Sequence, residues 1–403
     1  TMAKIKNFFS RLGKLALLHP FWTLALVSFL STALLYFPFI LHLKSFFGLN
    51  YPEKFNFSTV LLNFDSLNYI IVAKTWYDPQ KIKALFPNTL PPAYFPAHFP
   101  AYPALIWLAA QIPKIDFPHA AILVTQLTSL AAIFVFYKLL LLVTKNQKAS
   151  LFLASLFIFF PTRWLVVKNV PSPEPLFLFF IISAVYFFKK ENYGKSALMA
   201  IFSQTVKSPG VLLAGALGLA GLIEVLKSSS LLKDKKKIKE GLKKFWPILL
   251  TPLGIIGVFF LYKITTGDFW AYFKTGDNIH LFWPPFQVFD FNEKWVGTFW
   301  LEDVYLYYLL GGILLSFLWQ KYKTDILFIF PAVFYFSLIF VAHRDIARYL
   351  IPALPFLILG GENFFQKKQF LIPFILLLPA LFLYAISFIS FNTMPLADWT
   401  PYL

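Results

Sequence analysis

Apolar runs of about 20 residues recur along the whole 403-residue chain, and they limit its fold more than any other feature. A helix of roughly 20 apolar residues spans the hydrocarbon core of a bilayer. The chain is 58% hydrophobic and 14% charged, against about 45–50% and roughly 25% in soluble domains. This composition excludes a disordered protein and almost any soluble enzyme, and the lack of cysteine excludes a disulfide scaffold. The sequence therefore predicts one all-α polytopic membrane domain over residues 1–403.

Eleven segments are predicted as membrane spans from their apolar composition, although one of them, 194–206, is short. They are 18–42, 117–143, 149–167, 172–188, 194–206, 209–227, 245–263, 303–320, 324–342, 346–364 and 369–390. A further apolar stretch, 101–112, is too short to cross and is bounded by prolines, so we expect a re-entrant or interfacial helix there. Between two of the spans, Lys207-Ser208-Pro209-Gly210 is a sequence that breaks a helix.

The net charge of +17 is expected to orient the protein in its membrane and does not indicate a nucleic-acid partner. With a cytoplasmic N-terminus, the inner side would hold 22 of the 36 basic residues and six of the 19 acidic ones. The basic segment 228–244 then becomes a cytoplasmic loop, either solvated or in contact with anionic lipid headgroups. Two long loops, 43–116 and 264–302, fall on the outer face, where we expect any chemistry to take place.

The first outer loop carries a carboxylate in an apolar setting. Apolar residues between Thr59 and Tyr77 recur at helical spacing, with Val60, Phe64, Leu67 and Ile71 on one face, which predicts an interfacial helix. Asp65 lies in the apolar half of that helix. It is interpreted either as a solvated residue at the helix edge or as a general base whose pKa is tuned by partial burial.

A stiff segment rich in proline and aromatic residues follows at 94–103. Irregular backbone at membrane depth survives where it lines a cavity or is buried in protein. His98, inside this segment, is therefore predicted either to line a cavity or to serve in packing or capping.

Five short motifs in order resemble the GPI mannosyltransferase II (PIG-V-like) family over roughly residues 60–360. They are F-D-S-x-x-Y at 64–69 followed by Y-F-P-x-x-F-P-x-Y-P at 94–103, S-P-E-P-L-F at 172–177, K-S-P-G at 207–210, G-D-F-W at 267–270 with W-P-P at 283–285, and R-Y-L-I-P-A-L-P at 348–355. The chain departs from the family pattern at Phe64, where the family has Trp, and at Lys207, where it has Arg. The additional His98 is similar to an H-P-P element of related O-mannosyl and aminoarabinose transferases.

The resemblance implies a GT-C-type glycosyltransferase that takes a sugar from a polyprenyl-phosphate donor on the non-cytoplasmic face. It implies that Asp65 is the base for an inverting transfer, most simply of mannose, to a hydroxyl of a lipid-linked glycan or glycolipid. A leaving phosphate needs positioned cations, and we expect Arg348 and Lys207 to supply them. The remaining predicted substrate-binding residues are Glu174, Arg344, Lys168, His98, Tyr69, Tyr349, Trp283 and His280.

Simpler interpretations of these charged residues stay open. Arg344 and Arg348 would share a helical face, with Asp345 pairing with one of them and capping the helix. Glu174 could complement a helix dipole without contacting substrate. Hard divalent metals prefer several oxygen ligands, and because the sequence has no D-x-D pair, catalysis without a metal cofactor is favoured.

A polytopic transporter or glycolipid flippase is the main alternative function, and a non-catalytic membrane scaffold is another. Transporters often have internal repeats, and the chain shows none. The expected location is a bacterial or archaeal plasma membrane, or the endoplasmic reticulum membrane in a eukaryote.

Overall fold

The computed structural model describes residues 13–51, 55–63, 65–229, 234–276, 280–297 and 301–403, and most of them are helical. The α-helices are Pro20–Ile40, Phe57–Leu61, Ser66–Thr75, Pro79–Leu85, Ala101–Ala109, Phe117–Thr144, Gln147–Phe159, Thr162–Val167, Glu174–Lys189, Tyr193–Val206, Gly210–Ser228, Lys235–Phe245, Leu253–Thr266, Glu302–Tyr322, Ile326–Leu338, Ile346–Tyr349, Leu354–Gly360, Glu362–Phe365, Lys368–Leu376 and Leu378–Phe391. Short 3-10 helices are Pro92–Ala97, Trp246–Leu250, Ala271–Lys274, Gln287–Phe289, Ile351–Ala353 and Thr400–Tyr402. Strands Ser45–Phe46 and Leu49–Asn50 form an antiparallel hairpin.

The long apolar helices confirm a membrane-embedded helical protein. Within the described ranges, four helical segments are long and apolar enough to cross a bilayer: Pro20–Ile40, Phe117–Thr144, Gly210–Ser228 and Lys235–Thr266. Lys368–Leu376 and Leu378–Phe391, which meet at a bend of 50°, would make a fifth if the pair crosses as one span. The count of eleven spans stays a prediction.

A proline divides one of the predicted spans into two shorter helices. The predicted span 149–167 is wrong as one helix, because the helix that begins at Gln147 ends at Phe159 and the next begins at Thr162, after Pro161. Proline disfavours helical backbone in the residue before it, and Phe160 is extended, so this break has a local cause. The predicted span 346–364 contains a shorter apolar helix, Ile346–Gly360, with a 3-10 turn at Ile351–Ala353.

The predicted interfacial helix over 59–77 is also wrong as a single element. Two helices, Phe57–Leu61 and Ser66–Thr75, replace it, and Asp65 is the N-cap of the second. The Ser66 hydroxyl donates to the carbonyls of Leu61 and Asn63, both at 2.6 Å, and so stabilises the break. The second helix is buried on almost every side, with Leu67 and Ile71 inaccessible to solvent. Phe64 lies outside the described residues.

Helix Glu174–Lys189 occupies the centre of the packed helices. It contacts Phe117–Thr144 on one side and Tyr193–Val206 on the other. Its first residue, Glu174, is buried inside the protein although it carries a charge. By contrast, large apolar side chains such as Trp22 and Phe29 on helix Pro20–Ile40 are exposed, as expected of a surface that faces lipid.

The basic segment 228–244 is not an irregular loop in its described part. Residues 230–233 lie outside the described ranges, and helix Lys235–Phe245 follows them. Asp234 caps this helix by accepting from the backbone N–H groups of Lys236 and Lys237. In the second predicted outer loop, 277–279 and 298–300 are likewise outside the described ranges.

Candidate functional site

Four charged side chains that sequence reasoning selected meet in one ion network. The guanidinium of Arg348 donates from Nη1 to Asp65 Oδ2 at 3.0 Å and from Nε to Glu174 Oε1 at 2.7 Å. Lys207 Nζ donates to the same Glu174 oxygen at 2.8 Å. Two carboxylates and two cations from four distant parts of the chain are therefore in direct contact.

The network has a buried side and an open side. The Glu174 side chain is 3% exposed, whereas Asp65 and Arg348 are each 26% exposed and Lys207 is 27% exposed. Glu174 Oε2 also accepts a short hydrogen bond from the Ser172 hydroxyl. Both oxygens of Glu174 are thus engaged by protein groups, while the side chains of Asp65, Arg348 and Lys207 are partly exposed.

Glu174 is held in place by its own N-terminal flank. The backbone N–H of Ser172 donates to Thr125 Oγ1 at 3.1 Å, which ties the start of the central helix to helix Phe117–Thr144. Proline at 173 and 175 suits the first turn of a helix, where backbone N–H groups have no intrahelical acceptor. The helix start and its carboxylate therefore have a defined position.

Lys207 reaches the network because the chain is extended where two helices meet. It follows helix Tyr193–Val206 in an extended conformation, and the next helix begins at Gly210. A Cβ at Gly210 would lie 2.7 Å from backbone atoms of Gln204, so this close crossing requires glycine. The predicted helix break at 207–210 is confirmed.

Arg348 lies on the short helix Ile346–Tyr349, which Asp345 caps through a 3.4 Å contact to the Arg348 backbone N–H. The predicted capping role of Asp345 is confirmed. Its predicted ion partner is wrong, because Asp345 pairs with Arg163 on another element. Arg344 precedes the helix and is exposed, so it does not share a helical face with Arg348.

Arg163 is the residue of this site that sequence reasoning missed. Its guanidinium makes a two-point contact with Asp345, from Nε to Oδ1 at 3.1 Å and by a short bond from Nη2 to Oδ2. It also lies 3.8 Å from the ring centroid of Phe388, and its side chain is 5% exposed. A signal existed in the sequence, since an arginine in an apolar segment needs a partner.

His98 and Tyr69 lie close enough to Asp65 to interact with it electrostatically, and their role in substrate binding stays a prediction. The Tyr69 ring makes an edge contact with the His98 ring at 4.8 Å and with Tyr102 at 5.2 Å. His98 is buried, and its Nδ1 has no hydrogen-bond partner among the described residues. This nitrogen is therefore a buried polar atom whose hydrogen-bonding capacity is not used by the described residues.

The charges of these groups follow from burial and from the neighbouring cations. Burial lowers the pKa of His98 to about 4, so its imidazole is neutral at pH 7. Burial raises the pKa of Asp65, but the charge and hydrogen bond of Arg348 act in the opposite direction, and the net pKa lies below its usual value. Asp65 is therefore ionised at neutral pH.

The remaining predicted site residues fall into two groups. His280 and Tyr349 contact each other and His343, with ring centroids 4.9 Å apart for the two histidines and 5.4 Å for His343 and Tyr349. This cluster adjoins Arg348 through Tyr349. Trp283 lies on the exposed surface, where its ring is parallel to that of Phe340.

Lys168 is brought to the interior but not to the ion network. Its side chain is buried, and Nζ has no hydrogen-bond partner in the part of the chain that the structure describes. A role in phosphate binding therefore stays a prediction for Lys168, as it does for the exposed Arg344.

Comparison with known proteins adds no further assignment. No family model matches the chain, and no curated protein is significantly similar to it. Across the described ranges, no three His, Asp or Glu side chains are grouped so that they could hold a metal ion. Catalysis without a metal stays a prediction.

Proposed function

We propose that the protein is a GT-C-type glycosyltransferase that acts on the non-cytoplasmic face of its membrane. It transfers a hexose, with mannose the expected sugar, from a polyprenyl-phosphate donor to a hydroxyl of a lipid-linked glycan or glycolipid. One observation carries the proposal: Arg348 contacts both Asp65 and Glu174, with Lys207 on the same glutamate. A candidate base and two candidate phosphate ligands are adjacent.

Arg348 and Lys207 would bind the donor phosphate. A guanidinium can hold two phosphate oxygens in its planar fork, and an ammonium adds a point charge with three donors. Lys207 uses one donor on Glu174, and its partial exposure leaves the others accessible. Fixed cations at this position would stabilise the charge that develops on the phosphate as its bond to the sugar breaks.

Asp65 would act as the general base. The acceptor oxygen attacks the anomeric carbon, the proton moves to the Asp65 carboxylate, and the electron pair of the sugar–phosphate bond leaves on the phosphate oxygen. The contact with Arg348 lowers the pKa of Asp65 and therefore its basicity. A donor phosphate that draws the guanidinium to itself would weaken that contact and raise the basicity of Asp65 when donor is present.

Glu174 is better interpreted as a positioning residue than as the sugar ligand predicted from the sequence. Its oxygens are taken by Arg348, Lys207 and Ser172, and its side chain is buried. It would hold the two cations at one place. The Nδ1 of neutral His98, which has no hydrogen-bond partner among the described residues, would instead contact a substrate hydroxyl.

The decisive experiment replaces the base. Asp65→Asn should insert and purify normally but lose at least ~100-fold in transfer of sugar from polyprenyl-phosphate mannose or glucose, within the usual range for general-base catalysis. Asp78→Asn is the matched control: it lies in the same loop, it caps helix Pro79–Leu85, and asparagine caps helices equally well.

Full activity of Asp65→Asn would disprove the assignment of the base. Wild-type protein that moves a labelled glycolipid across proteoliposomes but transfers no sugar from either donor would disprove the transferase and favour the flippase.

A further inference from the structure

A cavity of about 190 Å³ lies outside the ion network, between the two outer loops. One wall comes from Pro79, Pro92, Ala93 and Pro96 in the first loop. The other wall comes from the end of helix Leu253–Thr266 and the 3-10 helix Ala271–Lys274. Its volume is below the ~300–1,000 Å³ of sites for drug-sized ligands, so it suits one ring with its substituents.

The lining combines apolar surface with charged hydrogen-bonding groups. The prolines form an apolar wall, and Asp268, Lys274 and Thr266 contribute polar atoms. Asp268 accepts from Lys274 at 2.5 Å and from the Trp270 backbone N–H at 2.9 Å. A carboxylate has about four acceptor positions and an ammonium three donors, so both groups retain capacity for a ligand.

The backbone presents Asp268 to the cavity by a helix end that needs glycine. Gly267 has φ of +80°, the left-handed conformation that commonly ends helices, and Asp268 follows it directly. The Asp268 backbone N–H donates to Thr266 Oγ1 at 3.2 Å. Gly267-Asp268 is part of a motif that the proposed chemistry leaves without a role.

Two hydrogen bonds connect the walls to the chain segments that carry Lys207 and His98. Tyr272, in the second wall, donates from its hydroxyl to Ser208 Oγ at 2.9 Å, and Ser208 follows Lys207. Tyr262 donates to the carbonyl of Pro96 at 2.7 Å, two residues before His98. The cavity walls are therefore connected to the segments that carry His98 and Lys207.

We propose that this cavity is a saccharide subsite that binds one sugar unit of the acceptor. A pyranose has an apolar C–H face and a rim of hydroxyl groups, which match the proline wall and the Asp268–Lys274 pair respectively. The assignment to the acceptor rests on the proposed transferase function, but the binding of a saccharide does not. Asp268 hydrogen-bonds the hydroxyl groups, and the prolines exclude a larger group.

The first experiment measures binding without catalysis. Saturation-transfer NMR with methyl α-mannoside, methyl α-glucoside and glucosamine should detect binding to the wild type and to Asp65→Asn alike. Ala93→Trp, which fills the cavity from an exposed position, should abolish the signal, and Asp268→Asn should weaken affinity about tenfold, as expected for a lost charged hydrogen bond. Ala397→Trp, at an exposed position outside the cavity lining, is the control.

The second experiment separates this proposal from the proposed function. With an active wild type, Ala93→Trp and Asp268→Asn should raise KM for the acceptor about tenfold and leave KM for the donor unchanged. Unchanged acceptor KM and unchanged saccharide binding in both variants would overturn the subsite. Saccharide binding that depends on Ala93 and Asp268, in a protein that transfers no sugar from any donor, would support the subsite and count against the transferase.

Discussion

Arg348 forms ion pairs with both Asp65 and Glu174. Its replacement should therefore change the pKa of Asp65 as well as the binding of anions. Without the guanidinium, burial is the strongest remaining influence on Asp65, and burial raises the pKa of a carboxyl group. The ionised state of Asp65 therefore depends on Arg348, the cation that binds the donor phosphate in the proposed function.

The pH dependence of Asp65 follows from this contact. Its pKa is below its usual value of about 3.9, so the stability of the pair is present above about pH 4 and is lost as the pH falls further. In Arg348→Gln, the acidic limb of residual transfer should move to higher pH. Infrared difference spectra of the carboxyl band, with Asp65→Asn as the reference, measure the same shift without activity. An acidic limb that stays in place would contradict the role of Arg348.

Sequence reasoning identified the four network residues by different signals: the apolar surroundings of Asp65, the prolines that flank Glu174, the helix break at Lys207 and the motif that begins at Arg348. It did not identify how they pair. Asp65 and Arg348 are 283 positions apart, and no local pattern reports such a contact. The helix break before Asp65 was also missed, because apolar spacing continues across it and only the Ser66 hydrogen bonds reveal it.

At the scale of elements, the short helix Ile346–Tyr349 that carries Arg348 is stabilised by contacts with neighbouring helices. A four-residue helix has little intrinsic stability, because nucleation is costly. The Arg163–Asp345 pair and the contact of Arg163 with Phe388 connect it to helices Thr162–Val167 and Leu378–Phe391. Arg163 is therefore a positioning residue for Arg348.

Replacement of Arg163 tests this connection. Arg163→Met leaves the Asp345 carboxylate without its cation and should destabilise the protein by about 3 kcal/mol, measured as a lower thermal midpoint in detergent. It should also lower kcat more than it changes KM for the acceptor, since the acceptor contacts are elsewhere.

Arg163→Lys should recover part of both losses, because lysine keeps the charge but loses the two-point contact. If kcat in Arg163→Met is unaffected while the thermal midpoint falls, Arg163 stabilises the fold and does not position Arg348.

For the molecule as a whole, helix Glu174–Lys189 packs between Phe117–Thr144 and Tyr193–Val206, and the ion network forms at its Glu174 end. The fold class was the easiest property to predict, because apolar runs of about 20 residues indicate a helical membrane protein. The number of spans was harder, since proline breaks such as that at Pro161 shorten helices without changing mean hydropathy.

The orientation can be tested directly because the chain has no cysteine. Single cysteines at Asn292 and Lys239, both exposed, should react from opposite sides of the membrane with an impermeant maleimide. Asn292→Cys should be labelled in intact cells and Lys239→Cys only after permeabilisation. Labelling of both in intact cells would contradict the charge-based topology.

The backbone pairing between Asn63 and Thr393 has a consequence for biosynthesis. Residues 392–394 contact the backbone of residues 62–63, just before Asp65, and the Met394 N–H donates to the Leu62 carbonyl at 2.9 Å. About 330 residues separate the partners, and at ~5–20 residues per second a ribosome needs roughly 15–65 s to make them. For that interval the segment before Asp65 exists without this pairing. The backbone that leads into Asp65 therefore takes its final contacts only after about 330 further residues have been synthesised.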